Sequence, residues 1–410
     1  MADFPVKWFS SDMGGSPAGG KEAGELIELL KACLITGFNI TPVVSLTFDS
    51  TSELVTAEVG QGHGFLKYQV ISITGADQAQ FNGDFRVMSA TSTAIAFAPS
   101  DTPTASTATG SQIEIKAAPV GGWEIVAEDV DRYRAAFRST SEKGNGLILH
   151  VQNDHWETAS DDRWDSYLSS FRPQFGAKVK IAYGMESIDT YEALAEARWP
   201  IGWDYSEDGR EWLLVGDDRL LFYTSRYAKK SQRSTVMYGD FESTVPGDSF
   251  NTLIQGIPYS ENSEWSKDTG QVYSEFAKYG DFEKSYIARP YNQMPHDEFT
   301  RFAKRGLGSA SGVMIRYPNP TDFGLYVHSG PTIIEEEIEG NGSAIRGYLP
   351  GLVQPLQTAT PYHKAILDDL PNLDGVPVIM WLTQYDTSGK SAMVDDGVGM
   401  VGWRLDNWRP

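Results

Sequence analysis

Apolar and polar residues alternate in short runs between residues 54 and 117, and each run ends at glycine or at Asn-Gly. Leu54–Val59 and Tyr68–Ile73 both show the alternation, and Asn82-Gly83 marks a turn between two such runs. A period of two is typical of half-buried β-strands, and glycine-bearing turns are typical of the tight connections between them. The pattern predicts a compact, many-turned β module over residues 41–118.

An amphipathic helix is predicted ahead of this module. Lys21–Thr36 carries apolar residues at the i, i+3, i+4, i+7 spacing of a buried helical stripe, and Gly37 follows as a stop signal. The arm before the helix is aromatic but too short to bury itself. Two alternatives stay open for residues 1–40: docking on the chain's own β domain, or docking on another protein or subunit. The residues that would make either contact are Phe4, Trp8, Phe9, Leu26 and Leu30.

The sequence is again β-rich from residue 119 onward. Apolar runs between glycine-bearing turns predict strands here. These runs are Trp123–Val126, Leu147–Val151, Trp212–Val215, Leu220–Tyr223, Val313–Arg316, Gly324–Val327, Ile345–Leu349 and Pro377–Leu382. Between residues 119 and 256, only Tyr191–Arg198 has the composition of a helix. We therefore expect residues 119–410 to form a larger β-sandwich or barrel with one embedded helix.

Two further segments of this larger domain have their own predictions. Residues 257–312 are polar and contain few β-branched residues, which indicates a loop-rich insertion with a short helix near Asp297–Lys304. The acidic run Glu335–Glu339 is predicted to be an exposed edge strand, whose like charges discourage unwanted strand pairing.

Composition and charge exclude several classes of protein. The 40 glycines, 21 prolines and 12% aromatic residues describe a turn-rich folded chain. Its net charge of −21 argues against a nucleic-acid-binding surface, and the basic cluster Arg226–Arg233 is short. No apolar run is long enough to insert in a membrane, and the first residues do not form a signal peptide. The single cysteine, Cys33, is expected to be a buried thiol in a chain that folds in a reducing cytoplasm.

Candidate chemistry is sparse. The sequence has no nucleophile elbow, P-loop or dinucleotide fingerprint, so we predict no catalytic residue and no cofactor. The tight group His150, Asp154 and His155 is better explained as surface or satisfied residues than as a metal site, and no metal is predicted.

Aromatic residues and carboxylates are dense in the segment from Asp154 to Asp165. It could bind a sugar or a calcium ion, whereas a solvated acidic loop with its tryptophans tucked into the sheet is favoured. Trp156, Trp164 and Asp162 are its candidate glycan or receptor contacts. The tyrosine-rich stretch Tyr259–Tyr291 is a second candidate contact region, for which core packing is the favoured alternative.

Several stretches resemble known proteins. The pattern GHGF…ISITGADQAQFNGDFRVMSATSTAIAFAP resembles the FCCH-like small β-barrel, a module named from ubiquitin-activating enzymes and recurrent in structural proteins of tailed bacteriophages. Other stretches resemble, in the same order, one family of phage virion structural proteins that are usually called tail-associated. They are VKWFSSDMGGSPAGGKEAGELIELLKACLITGFN, APVGGWEIVAEDVDRYRAAFRSTSEKGNGLILHV, YGDFESTVPGDSF, IRGYLPGLVQPL and GWRLDNWRP. Met13–Pro17 departs from the proline-rich run expected there.

The residues and the resemblance together predict a mainly β protein. It has an N-terminal arm and helix (1–40), an FCCH-like small β-barrel (41–118), and a larger β-sandwich or barrel domain with a loop-rich insertion (119–410, insertion at about 257–312). The function implied is that of a non-enzymatic structural component of a tailed-phage virion, in the tail or baseplate, contributing to host recognition or fibre attachment. A glycan-degrading tail enzyme and a head decoration or neck protein are the alternatives.

The same resemblance implies where the chain acts and with what. After synthesis in the host cytoplasm we expect it in the virion tail, bound to other virion proteins and assembled as a homo-oligomer, either a trimer or a ring. A host surface glycan or protein is a further candidate partner. Neither nucleic acid nor a membrane is an expected partner.

Overall fold

A computed structural model describes most of the chain. The described residues are 4–19, 22–153, 177–199, 211–226, 233–258, 285–288, 299–303, 318–328, 330–338, 342–357, 360–384 and 398–409. Across these ranges no helix has the length and apolar character that crossing a membrane requires.

Antiparallel strands dominate the described residues. The strands of the first half are β1 Lys7–Ser10, β2 Phe38–Pro42, β3 Ser45–Asp49, β4 Leu54–Glu58, β5 Val70–Thr74, β6 Gly83–Ala90, β7 Ala94–Phe97, β8 Glu114–Ala117, β9 Trp123–Asp129, β10 Arg134–Ser139, β11 Ile148–Gln152, β12 Ala177–Ser187 and β13 Thr190–Trp199. Those of the second half are β14 Trp212–Gly216, β15 Leu220–Arg226, β16 Arg233–Asp240, β17 Glu242–Ser243, β18 Thr252–Gln255, β19 Ile257–Pro258, β20 Ser285–Ile287, β21 Phe299–Ala303, β22 Val327–His328, β23 Thr332–Ile338, β24 Gly342–Leu349, β25 Leu352–Pro355, β26 Ile366–Leu367, β27 Val378–Gln384 and β28 Val398–Arg404. The mainly β fold class is confirmed.

The predicted N-terminal helix is shorter than its apolar pattern. Helix α1 spans Glu25–Lys31, and a π-helical turn, Ala32–Thr36, continues it. Gly24 adopts a left-handed conformation and sets the start. Gly37, at φ 71°, ends the turn as predicted. Glycine suits this position, because a Cβ there would lie 2.3 Å from the Ala117 carbonyl oxygen. Short 3₁₀ turns occur at Ala79–Phe81 and Thr360–Tyr362.

The module over residues 41–118 forms a seven-stranded sheet in the order β2-β8-β5-β6-β7-β4-β3. Its own apolar core includes Leu46, Ile71 and Phe85. The small β-barrel predicted here is not closed, because no pairing between described residues joins β2 to β3. Strands β2 and β3 follow each other directly in the chain: between them, the Val43 N–H donates to the Ile113 carbonyl beside β8, and the Val44 N–H donates to the Glu58 carbonyl of β4.

A second sheet has the order β19-β13-β12-β11-β10-β9. Its strand β13 corrects the helix predicted at Tyr191–Arg198. Strand β13 pairs with β12 along most of its length and buries Leu194, Ala197 and Trp199. The alanines and glutamates favour a helix only weakly, and long-range pairing outweighs that local preference.

The largest sheet has ten strands in the order β1-β14-β15-β16-β18-β20-β21-β23-β24-β17. The helix predicted near Asp297–Lys304 is wrong, because Phe299–Ala303 is strand β21. Strands β20 and β21 are interior strands, so the described part of 257–312 is more than loops. The acidic run is likewise no edge: β23 lies between β21 and β24, with Glu336 opposite Thr300 and Ala344.

A five-stranded sheet, in the order β22-β25-β28-β27-β26, completes the described fold. The strand predicted at Gly324–Val327 begins only at Val327, and that predicted at Val313–Arg316 lies outside the described residues. One large core joins α1, the six-stranded sheet, the ten-stranded sheet and part of this one. The boundaries at residues 40 and 118 stay predictions.

Candidate functional site

The N-terminal arm is an integral strand of the ten-stranded sheet. Strand β1 pairs with β14, with Lys7 opposite Gly216. The Lys7 Nζ donates to the Asp84 carboxylate and to the Pro119 carbonyl, both at 2.6 Å, which ties the arm to the seven-stranded module as well. The Trp8 indole N–H donates to the Tyr68 carbonyl at 3.1 Å.

The arm residues and the helix residues named from the sequence face the interior of the chain. Trp8, Phe9, Leu26 and Leu30 are buried in the large core. The half-buried Phe4 lies under the Arg86 guanidinium, 5.0 Å from its carbon to the ring centroid. Of the two alternatives, docking on the chain's own sheets is the one seen for these four buried side chains, and docking on a partner stays a prediction.

The last described residue, Arg409, is the centre of a buried polar cluster. This residue is only 8% exposed. The Nε donates to Asp217 Oδ2 at 2.7 Å, Nη2 donates to the Asp240 carbonyl at 2.6 Å, and Nη1 donates to Glu242. Burial opposes the charge of the guanidinium, but the Asp217 and Glu242 carboxylates outweigh this effect and raise the pKa of Arg409. We call Arg409, Asp217, Asp240 and Glu242 the Arg409 network.

Asp217 holds the turn between β14 and β15. Its Oδ1 accepts the N–H groups of Arg219 at 2.8 Å and Leu220 at 2.7 Å, and its carbonyl accepts the Trp123 indole N–H at 2.9 Å. The side chain therefore organises the turn with one oxygen and binds Arg409 with the other. The first described strand and Arg409 consequently meet at Gly216 and Asp217.

Asp240 is a buried carboxyl at the end of β16. Burial raises the pKa of Asp240, and the bonds it accepts from the Thr252 hydroxyl and the Asn145 N–H oppose that rise. A buried carboxylate needs such partners because leaving it unpaired costs several kcal/mol, on the order of 3–5. The chain itself therefore supplies the donors that this group requires.

The segments that carry the sequence resemblance converge here. Asn145 comes from APVGGWEIVAEDVDRYRAAFRSTSEKGNGLILHV, Glu242 from YGDFESTVPGDSF, and Arg409 from GWRLDNWRP. Arg346, in IRGYLPGLVQPL, pairs with Asp248 at 2.8 Å within the same region. Sequence reasoning missed this cluster, although charged residues next to apolar strands inside the quoted stretches were a usable signal.

A second polar junction lies around Lys364. The Nζ of Lys364 is 2.7 Å from an Asp12 carboxylate oxygen and 2.9 Å from Glu211 Oε1. His363 Nδ1 accepts the Leu382 N–H, so its Nε2 carries the proton that is directed at Glu211, at 3.1 Å. Burial opposes the charge of Lys364, but the two carboxylates raise its pKa. The junction joins the N-terminal arm to the five-stranded sheet.

His150 is buried in the six-stranded sheet at 1% exposure, with its ring centroid 4.8 Å from that of Tyr191. Neither ring nitrogen has a hydrogen-bond partner among the described residues. Burial and the nearby Lys180 and Arg134 lower the pKa of His150 to about 4. The imidazole is therefore neutral near pH 7.

The remaining predicted sites are only partly described. Trp156, Trp164 and Asp162 lie outside the described residues, as does most of Tyr259–Tyr291. Among the described residues, no group of three or more His, Cys, Asp or Glu is placed to hold a metal ion. Cys33 is fully buried, and burial raises the pKa of its thiol.

Comparisons with known proteins add little. No family model matches this chain, and no curated protein sequence matches it either. Among solved structures, "Phage phi92 endosialidase" aligns with 12% sequence identity over 90% of this chain and 52% of that chain, at a TM-score of 0.18. The chain thus spans about half the length of that protein. A TM-score of 0.18 is too low to indicate a shared fold, so no conclusion about fold or function is based on this likeness.

Proposed function

We propose that the chain is a structural component of a tailed-phage particle, located in the tail or baseplate and acting without catalysis. The observation that carries the proposal is the convergence of the resemblance-bearing segments on the Arg409 network. The charged side chains of those segments form ion pairs and hydrogen bonds within the chain. This use suits a protein whose role is to keep its shape within an assembly.

The attachment at Gly216 and Asp217 supports the same role. Strand β1 and Arg409 lie far apart in the sequence, yet they are held beside each other at the end of β14 in the ten-stranded sheet. A particle component must stay folded outside the cell, where no chaperone refolds it, so slow unfolding is an advantage. A role in host recognition or fibre attachment, as a trimer or ring, would add multivalent contacts.

Immunogold labelling of purified particles with an antibody to this chain tests the proposal. We expect label at the distal tail, and particles from a deletion strain serve as the control. Label on the head or neck would instead make the chain a decoration or neck protein. An absence of label from every particle would refute the proposal.

A separate assay addresses catalysis. The purified chain is incubated with the host surface polysaccharide, and newly formed reducing ends are measured. We expect none above a heat-inactivated control. Release that scales with protein concentration would contradict the non-catalytic role.

A further inference from the structure

One exposed turn of the chain presents an aromatic side chain in an unusual backbone conformation. Phe323 is 72% exposed and has a φ of 58°, in the left-handed region. A bulky residue rarely adopts this conformation. The backbone conformation costs free energy in the isolated chain, and an outlier of this kind is a reason to look for a function.

The turn that carries Phe323 is built from its own hydrogen bonds. The Phe323 N–H donates to the Asn319 carbonyl at 2.8 Å, and the Thr321 N–H donates to Asn319 Oδ1 at 2.9 Å. Asp322 accepts the Gly324 N–H at 3.0 Å and the Tyr326 hydroxyl. The backbone that carries the ring is therefore ordered before any partner arrives, which lowers the entropy cost of binding.

A second loop packs beside this turn. A Cβ on Gly324 would lie 3.5 Å from Pro371, and the Asn372 side chain donates to the Val327 carbonyl. Leu325 shares a small apolar core with Leu370 and Leu373. The two loops thus form one surface, with Phe323 projecting from it.

This surface is acidic. The stretches 318–328 and 366–377 contain Asp322, Asp368, Asp369 and Asp374 but no lysine or arginine. The Tyr326 hydroxyl and the Gly324 N–H hold the pKa of the Asp322 carboxyl below its usual range, so this group is charged at neutral pH. Asp369 and Asp374 are exposed, whereas Asp368 pairs with Lys67 at 3.4 Å.

We propose that Phe323 and its acidic rim, Asp322, Asp369 and Asp374, form a docking knob for a different protein that offers an apolar pocket bordered by lysine or arginine. An apolar pocket would bury the ring, and a basic border would complement the carboxylates. A second copy of this chain fits poorly, because each copy carries a net charge of −21. The docking knob adds an interaction surface to the proposed structural role.

Site-specific photocrosslinking tests the docking knob. Phe323→p-benzoylphenylalanine is introduced into the full chain in host cells that also make its natural partners, and cells and purified particles are irradiated. Crosslinked peptides are identified by mass spectrometry. The matched control carries the same group at Ile40, which is 66% exposed on another sheet.

We expect a crosslink from position 323 to another protein, at a peptide with apolar residues beside lysine or arginine, and no such product from position 40. No crosslink from position 323, a crosslink to an acidic peptide or a crosslink to a second copy would overturn the docking knob. Because infected cells are irradiated as well, this result is independent of whether the chain enters the particle.

Binding measurements with the crosslinked protein then separate docking from folding. Phe323→Gly should weaken binding at least tenfold while leaving the melting temperature unchanged or higher, because glycine fits the left-handed conformation. Asp369→Asn combined with Asp374→Asn should slow association several-fold at low salt and have no effect at high salt. Unchanged binding by Phe323→Gly would refute the docking knob, whatever the melting temperature.

Discussion

In the Arg409 network Arg409 is 8% exposed and its guanidinium binds the carboxylates of Asp217 and Glu242, whereas in the Phe323 turn the exposed Asp322 precedes Phe323, which is 72% exposed. Both regions contain ordered polar groups with several hydrogen bonds. In the first, Arg409 neutralises the carboxylates; in the second, no lysine or arginine of the described residues pairs with Asp322. Burial with an internal partner indicates a role in the fold, while an ordered but unneutralised surface indicates a role in binding.

The largest expected loss of stability comes from removing the Arg409 side chain from the buried network. Arg409→Ala should lower the free energy of unfolding by about 3–5 kcal/mol, because it leaves the buried Asp217 carboxylate without its charged partner and leaves Glu242 with Arg219, 3.8 Å away. Urea unfolding at neutral pH measures this change. The matched control is Arg404→Ala, which removes a more exposed arginine that pairs with Asp406 and should cost about 1 kcal/mol or less. Equal losses for the two variants would remove the distinction between buried and exposed charge.

The second effect concerns His150, a buried polar group that, unlike the Arg409 network, has no hydrogen-bond partner among the described residues. Its pKa is about 4 in the folded chain, against 6.5 ordinarily. Protonation therefore favours the unfolded state: the stability contribution is fully present above pH 6.5 and is lost as the pH falls from 6.5 to 4. The full loss is roughly 3 kcal/mol.

The difference in unfolding free energy between the wild-type chain and His150→Leu isolates this effect, since the carboxyl groups titrate alike in the two proteins and their contributions cancel. Between pH 7 and pH 4, the wild-type chain should lose roughly 3 kcal/mol of stability relative to the His150→Leu variant. The charged groups around the ring are Lys180, Arg134 and Asp189. A constant difference across this range would show that the ring titrates normally.

The third effect is the loss of stability when alanine replaces a glycine with positive φ, measured at two such glycines. Gly37 lies against the Ala117 carbonyl, so Gly37→Ala should cost about 2 kcal/mol from backbone strain, plus the cost of relieving a 2.3 Å contact. Thermal unfolding measures the loss. Gly60→Ala is the matched control, because its positive φ is similar but no atom lies within 4 Å of its Cβ position.

The smallest effect has the opposite sign. Phe323→Gly should leave the unfolding free energy unchanged or raise it by up to about 1 kcal/mol, because relief of left-handed strain is partly offset by the greater freedom of glycine in the unfolded chain. Leu325→Ala, two residues away and buried, should instead cost about 2–5 kcal/mol. A large loss in Phe323→Gly would mean that the ring supports the fold.

The candidate site was only partly predictable. Local pattern correctly marked Phe9 and Leu26 as apolar residues that need a partner, but pattern alone could not say which surface covers them. Arg409 and Asp217 are 192 positions apart, and no local feature of either residue encodes their pairing. The Phe323 turn was missed because its signal is a backbone angle and an exposure, and neither can be read from residue type.

The sequence by itself determined the mainly β class, most of the core strands, the stop at Gly37 and the burial of Cys33, because periodicity, glycine and apolar runs act locally. Tertiary structure alone decided that Tyr191–Arg198 is a strand, that β23 is interior, that the seven-stranded sheet stays open, and that the arm docks on β14. These outcomes depend on strand pairing between residues far apart in the chain, whose energy outweighs local propensity and whose register no short window of sequence contains.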